Sequence, residues 1–238
     1  MERHDGRPEA RRRPPRLLEE KHQPGSPDGT KAYHMTKAER EIYISVDIEA
    51  SGPIPGEYSL LSIGACVVTN PARRFYVEIK PLSDKVLPEA MAVSNLSLQK
   101  LRQEGESPQK AMADFAEWID SCCRLGTPVF VGFNACFDWS FVNWYFHRFL
   151  AKNPFGIGAI DIKAYYMGRV RCSWYQTRAS HLPNMLKPKR PHTHNALDDA
   201  LGQAEIFGKL LALSGGESIQ ASKAASRNHV HKNALKKY

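Results

Sequence analysis

Apolar and polar residues alternate from position 42 to position 49. Ile42, Ile44, Val46 and Ile48 fall on one face, and Tyr43, Ser45, Asp47 and Glu49 on the other. Side chains along a strand alternate with period two, so the pattern predicts a half-buried β-strand whose last two outward positions are carboxylates, roughly 7 Å apart. Residues 60–68 and 74–80 predict a second and a third strand, with Asn70-Pro71 as the turn between them. The stretch 50–56, rich in Gly and Pro, leaves the first strand over the two acids. Three strands joined by short loops predict an antiparallel meander.

The period then changes. Residues 97–104 predict a short amphipathic helix, and Ser107 before Pro108 marks the N-cap and first-turn proline of another. That helix carries Ala111, Phe115, Trp118, Ile119 and Cys122 as a core stripe. Residues 128–133 predict a fully buried fourth strand running through Asn134 to Asp138 into an aromatic helix with Phe141, Trp144, Tyr145, Phe146 and Phe149, again a core pattern. Residues 158–162 predict a fifth strand, 163–166 a short helix, and a last helix opens near His194 and runs to about Leu213. A meander followed by alternating helix and strand predicts an α/β fold, a mixed five-stranded sheet flanked by helices. Ligands of such sheets sit at the carboxyl ends of strands, where Asp47, Glu49 and Asp138 lie.

Two carboxylates side by side at the end of an apolar strand repel each other and resist desolvation, so a positive partner is expected between them. A divalent cation meets that need, and so does a solvated strand end capped by Lys or Arg. The last helix offers a further acid. Asp198 aligns with Gly202, Glu205 and Lys209, a polar stripe, whereas Asp199 aligns with Gln203, Ile206, Leu210 and Leu213 and is predicted to face the core. His194 lies five residues earlier, at or just before the helix start.

The order Asp47-Ile48-Glu49 with Ser51-Gly52, then Asn134-Ala135-Cys136-Phe137-Asp138, then His194-Asn195-Ala196-Leu197-Asp198-Asp199 resembles the DEDDh family of 3′-to-5′ exonucleases, over about residues 41–213. Ala50 stands where family members often carry Thr, and Ser62 where many carry Glu. The resemblance implies a ribonuclease H-like fold and phosphodiester cleavage assisted by two divalent ions, Mg²⁺ or Mn²⁺. It implies Asp47 as the bridging ligand, Glu49 and Asp199 on the ion that carries the attacking water, and Asp138 on the second ion. His194 takes the proton from that water, which makes His194 and Glu49 the catalytic pair. Ala50, Ser51 and Gly52 would hold the terminal nucleotide through their backbone, with Asn134 and Phe137 lining the site. His192 matches no position of the motif and reads as structural or exposed.

Charge and composition then set the setting. The net charge is +8, yet residues 35–213 hold 20 basic and 18 acidic residues, while residues 214–238 hold 5 and 1. A nucleic-acid footprint on the body is therefore a local patch. Lys187, Lys189, Arg190 and the basic end of the chain are either phosphate contacts or ordinary solvated charge. Residues 1–34 are predicted to be a disordered basic, Pro-rich tail, 35–213 an exonuclease domain, and 214–238 a basic tail; Met35 is an alternative start. Five cysteines without a C-x-x-C pair predict reduced thiols. With no apolar run long enough to cross a bilayer and no apolar N-terminal segment, the expected setting is cytoplasmic.

The expected activity is a 3′-to-5′ exonuclease releasing nucleoside 5′-monophosphates from single-stranded DNA or RNA, with no membrane partner and a homodimer left open. An oligoribonuclease-like or RNA-trimming enzyme is the alternative within the class. A non-catalytic nucleic-acid-binding module on the same fold is the alternative outside it.

Overall fold

A computed structural model describes residues 40–94 and 96–213. The tails expected at 1–34 and 214–238, and the alternative start at Met35, lie outside the described residues. Five strands form one sheet in the order β3-β2-β1-β4-β5. β1 (Glu41–Ala50), β2 (Leu60–Val67) and β3 (Asn70–Glu78) make the antiparallel meander, and β4 (Thr127–Gly132) and β5 (Ala159–Asp161) continue it in parallel from β1. The central position of β1 follows from its sequence, since Ile44, Val46 and Ile48 are buried on one side and Ser45 on the other.

Six α-helices are present among the described residues: α1 (Pro88–Ser94), α2 (Leu98–Glu104), α3 (Pro108–Cys122), α4 (Ala135–Leu150), α5 (Ile162–Val170) and α6 (Ala196–Ala212). Ser97 and Ser107 cap α2 and α3 by accepting from the Lys100 and Lys110 amides, the second as the sequence predicts. One apolar cluster joins Ile44, Val46 and Ile63 of the sheet to Phe115 of α3 and Phe141 of α4. The second lies on the opposite face and joins Cys66 and Val131 to Tyr166 of α5 and Phe207 of α6. The sheet is therefore covered on both faces, and α6 lies over the face that carries the strand acids.

Three details differ from the sequence-based expectations. Asn70 and Pro71 open β3 and the turn is Val68 and Thr69; β3 is an edge strand, where a proline without an N–H is tolerated. β4 is buried only over Phe130, Val131 and Gly132, because β5 is three residues long and pairs with those three alone. α1 was not foreshadowed by periodicity, and Ser94 is its one buried residue. α6 begins at Ala196, after the Asn195 cap, so His194 stands just before the helix, as expected. Among the described residues no helix is long and apolar enough to cross a membrane.

Candidate active site

Asp47 and Glu49 end β1, and α6 reaches them because the chain lets it come close. Ser45 Oγ donates to the Ala200 carbonyl at 2.8 Å, which seats the helix on the strand. Gly64, paired with Asp47 across β1 and β2, sits under the first turn of α6, where a Cβ would lie 2.1 Å from the Ala196 carbonyl carbon. Asn195 caps the helix by accepting from the Leu197 and Asp198 amides at 3.1 and 3.2 Å. The result is that ligand oxygens of Asp47, Glu49 and Asp199 all lie within 4.8 Å of one another. Asp199 is buried, as its stripe predicts, while Asp198 is half-buried and accepts from Thr193 Oγ1.

Asp138 comes from the first turn of α4. It is buried beside this trio, and its Oδ1 accepts the Ile48 amide at 3.1 Å. Asn134, in the left-handed region at φ 65°, turns the chain from β4 into α4, a conformation asparagine tolerates better than most residues. Asp161 fastens that turn by accepting from Ala135 N and Ala164 N, both at 2.7 Å.

A cavity of about 460 Å³ opens over these groups, and Asn134, Phe137 and His194 share its wall with the four acids. Residues 50–52 follow the two acids at the end of β1. Ser51 is fully buried, and its amide, carbonyl and hydroxyl are taken by Ser59, Leu87 and Lys85. Gly52 is packed against Tyr58. Ala50, Ser51 and Gly52 are not on the cavity wall, whereas Asn134 and Phe137 are.

Burial and mutual repulsion dominate the electrostatics. Burial first, then the charges of Asp138, Asp199 and Glu49, push the Asp47 carboxyl well above its ordinary value, against a hydrogen bond from Gln203. Burial and the Asp199 charge raise Glu49 to about 7. Burial raises Asp138 to about 8 despite its hydrogen bond from Ile48. Among the described residues no lysine or arginine makes an ion pair with any of the four. Four crowded carboxylates without a fixed cation are a donor set suited to a hard divalent ion, which prefers oxygen ligands.

Two neighbours escaped the sequence reading. Gln203, one helical turn beyond Asp199, donates through Nε2 to Asp47 Oδ1; its place on the Asp199 stripe was the signal. His192, expected to be structural or exposed, is largely exposed, yet its Nδ1 lies 2.7 Å from Asp199 Oδ1 and its ring centroid 4.2 Å from that of His194. His194 itself adopts φ 54°, a left-handed conformation uncommon outside glycine and often tied to a functional constraint.

The family described as Exonuclease (RNase T) matches residues 44–207. The 3′-5′ DNA exonuclease Cap18 of Escherichia coli is 51% identical over 179 residues, covering 75% of this chain and 96% of that protein. E. coli Exonuclease I in complex with a dA16 oligonucleotide superposes with a TM-score of 0.56 at 16% identity over 72% of this chain. The chain spans 41% of that protein's length. A 3′-exonuclease described in 3′-end-specific recognition of the histone mRNA stem-loop gives a TM-score of 0.59 at 14% identity, over 74% of this chain and 65% of its own. At such identities the likeness shows the shared fold, the ribonuclease H-like sheet.

Proposed function

Because the chain belongs to the exonuclease family of RNase T type, we propose that it is a 3′-to-5′ exonuclease that removes nucleoside 5′-monophosphates from the 3′ end of single-stranded DNA. The observation that carries this reading is the convergence of Asp47, Glu49 and Asp199 oxygens within 4.8 Å, on a cavity shared with Asp138 and His194. The 51% identity to a protein named as a DNA exonuclease supports DNA over RNA. The exonuclease domain proposed is 35–213.

Asp47, Glu49 and Asp199 would hold one divalent ion, and Asp138 with Asp47 a second. Bound there, Mg²⁺ or Mn²⁺ supplies a more acidic water and stabilises charge on the attacking and leaving oxygens. Asp47 has the place for a shared ligand, since it feels the charges of all three other acids. The Ile48 amide holds the Asp138 carboxylate beside it, and Gln203 orients the Asp47 carboxylate. An imidazole nitrogen of His194 accepts the proton of the attacking water, the general-base task that imidazole side chains commonly perform. Phe137 leaves 41% of its surface open at the cavity and offers the terminal base a stacking face. Asn134 offers polar contacts beside it.

The test is product analysis on matched 3′-labelled and 5′-labelled single-stranded DNA and RNA, with Mg²⁺ or Mn²⁺ and then EDTA, for wild type and Asp47→Asn. Metal-dependent mononucleotide release from the 3′ end of DNA, lost in the variant, is the expected result. Faster release from RNA moves the reading to an RNA-trimming enzyme. Binding without cleavage of either polymer overturns the enzyme reading in favour of a binding module.

A further inference from the structure

Between α5 and α6 the chain makes two short 3-10 turns, Trp174–Thr177 and Ala179–His181. Trp174 and Tyr175 leave 53% and 59% of their surface exposed, more than any other Phe, Tyr or Trp among the described residues. Each carries a cation against its ring. Lys163 Nζ lies 4.1 Å from the Trp174 centroid, and the Arg178 guanidinium lies 4.5 Å from the Tyr175 centroid.

The turn that presents them is fastened. Gln176 Oε1 accepts from the Ser173 amide at 2.9 Å and from the Ser173 hydroxyl at 3.0 Å, and the buried Thr177 donates through Oγ1 to the Trp174 carbonyl at 2.7 Å. The His181 ring lies 4.7 Å from that of Tyr175, and its Nδ1 lies 3.0 Å from the Tyr175 carbonyl oxygen. These rings are held in place yet open to solvent.

The patch continues the cavity. Lys163 is buried, and its Nζ donates to Asn134 Oδ1 at 2.7 Å while it stands over Trp174. One ammonium group therefore separates the Trp174 ring from a residue of the cavity wall. Ala179, in the second 3-10 turn, also lines the cavity.

Resting on the exonuclease reading for the direction of the strand, we propose that Trp174 and Tyr175, backed by Lys163 and Arg178, form a second stacking platform. It would hold the bases of single-stranded nucleic acid that lie 5′ of the nucleotide in the cavity. A single strand presents unpaired π faces and phosphates in alternation, which is what two exposed rings with the exposed Arg178 guanidinium beside them complement. A duplex hides its base faces in the stack, and an acidic peptide gives the cations a partner but leaves both rings unused.

Binding of 5′-fluorescein dT12 is measured by anisotropy in EDTA on Asp47→Asn protein, which retains the strand, with Trp174→Ala, Tyr175→Ala and Trp174→Phe added in that background. Each alanine variant is expected to weaken binding by about 5- to 100-fold, and Trp174→Phe to recover most of the loss. In cleavage by otherwise wild-type protein with Mg²⁺, the ratio of kcat/KM on dT12 to that on the dinucleotide is expected to fall by a similar factor, through KM. Leu125→Ala, an exposed apolar residue just before the other end of β4, is expected to leave both readouts within twofold.

Alanine variants that bind dT12 within twofold of the parent overturn the platform. So does a loss that Trp174→Phe does not recover and that tracks a fall in Tm, which marks a packing role. If the wild-type protein cleaves neither polymer, the exonuclease reading fails, and the anisotropy series still decides the platform.

Discussion

Asp138 Oδ1 accepts the Ile48 amide at 3.1 Å, so the backbone N–H between the two acids of β1 is bound by the acid of α4. The hydrogen bond fixes the spacing of the two elements that carry the acids, and it favours the charged form of Asp138. Burial outweighs it and leaves the carboxyl near 8. With no cation bound, burial therefore favours the protonated form of this carboxyl more than in an ordinary carboxylate.

The pH dependence of stability follows from that preference. Folded values of about 7 for Glu49 and about 8 for Asp138 lie above those of the unfolded chain. Between roughly pH 4 and pH 8 the folded state binds more protons than the unfolded one, so these acids make stability fall as pH rises. Tm in EDTA is expected to drop from pH 5 to pH 8, and saturating Mg²⁺ is expected to flatten the drop by supplying the missing positive charge. A Tm in EDTA that climbs over this interval contradicts the assignment.

Asp47→Asn separates function from stability. Asparagine keeps an oxygen for the Gln203 donor and removes a carboxyl whose ionised form burial, then the charges of Asp138, Asp199 and Glu49, disfavour. Turnover is expected to vanish. At pH 8 in EDTA the same variant is expected to melt higher than wild type, by about 2–4 °C for each kcal/mol of relieved repulsion. A variant that melts lower shows that the Asp47 charge is compensated in a way the four-acid arrangement does not provide.

The site was legible in the sequence wherever it rides on one periodic element. The alternation of β1 put Asp47 and Glu49 on one face, and the helical stripe of α6 separated Asp199 from Asp198. Ser107 with Pro108 announced α3 because a cap is a local device. What was not legible depends on contacts between distant segments. His192 reaches Asp199 from a loop without periodicity, and Lys163 meets Asn134 across 29 residues. The resemblance implied a nucleotide-holding backbone at Ala50, Ser51 and Gly52, whereas the partners of Ser51, namely Ser59, Lys85 and Leu87, come from later in the chain and could not be read from it. α1 has no apolar stripe, so periodicity had nothing to report there.

The two histidines are expected to differ in kind. His194 stands at the cavity in a left-handed conformation ahead of the Asn195 cap, and in the proposed role of proton acceptor its loss is expected to slow turnover about 10²- to 10⁴-fold. The Mg²⁺ concentration giving half-maximal rate should stay close to that of wild type. His192 is largely exposed and touches Asp199, so His192→Ala is expected to cost about tenfold or less. Steady-state kinetics of both variants across a Mg²⁺ titration check this. If His192→Ala proves the slower enzyme, the roles are reversed.

Gly64→Ala tests the packing that brings Asp199 to Asp47. Gly64 pairs with Asp47 in the sheet, and a Cβ there would meet the Ala196 carbonyl carbon at 2.1 Å and the Leu197 nitrogen at 2.2 Å. Those atoms are backbone of the first turn of α6 and cannot rotate aside, so the turn carrying Asp198 and Asp199 has to move. Overpacking of this kind costs about 1–3 kcal/mol, and the displacement should also lower activity at saturating Mg²⁺ by more than tenfold, since misplacing reacting groups by about 1 Å costs on the order of 10²-fold. Chemical denaturation and single-turnover rates measure the two effects. Wild-type stability together with wild-type rate would show that α6 does not rest on β2 at this point.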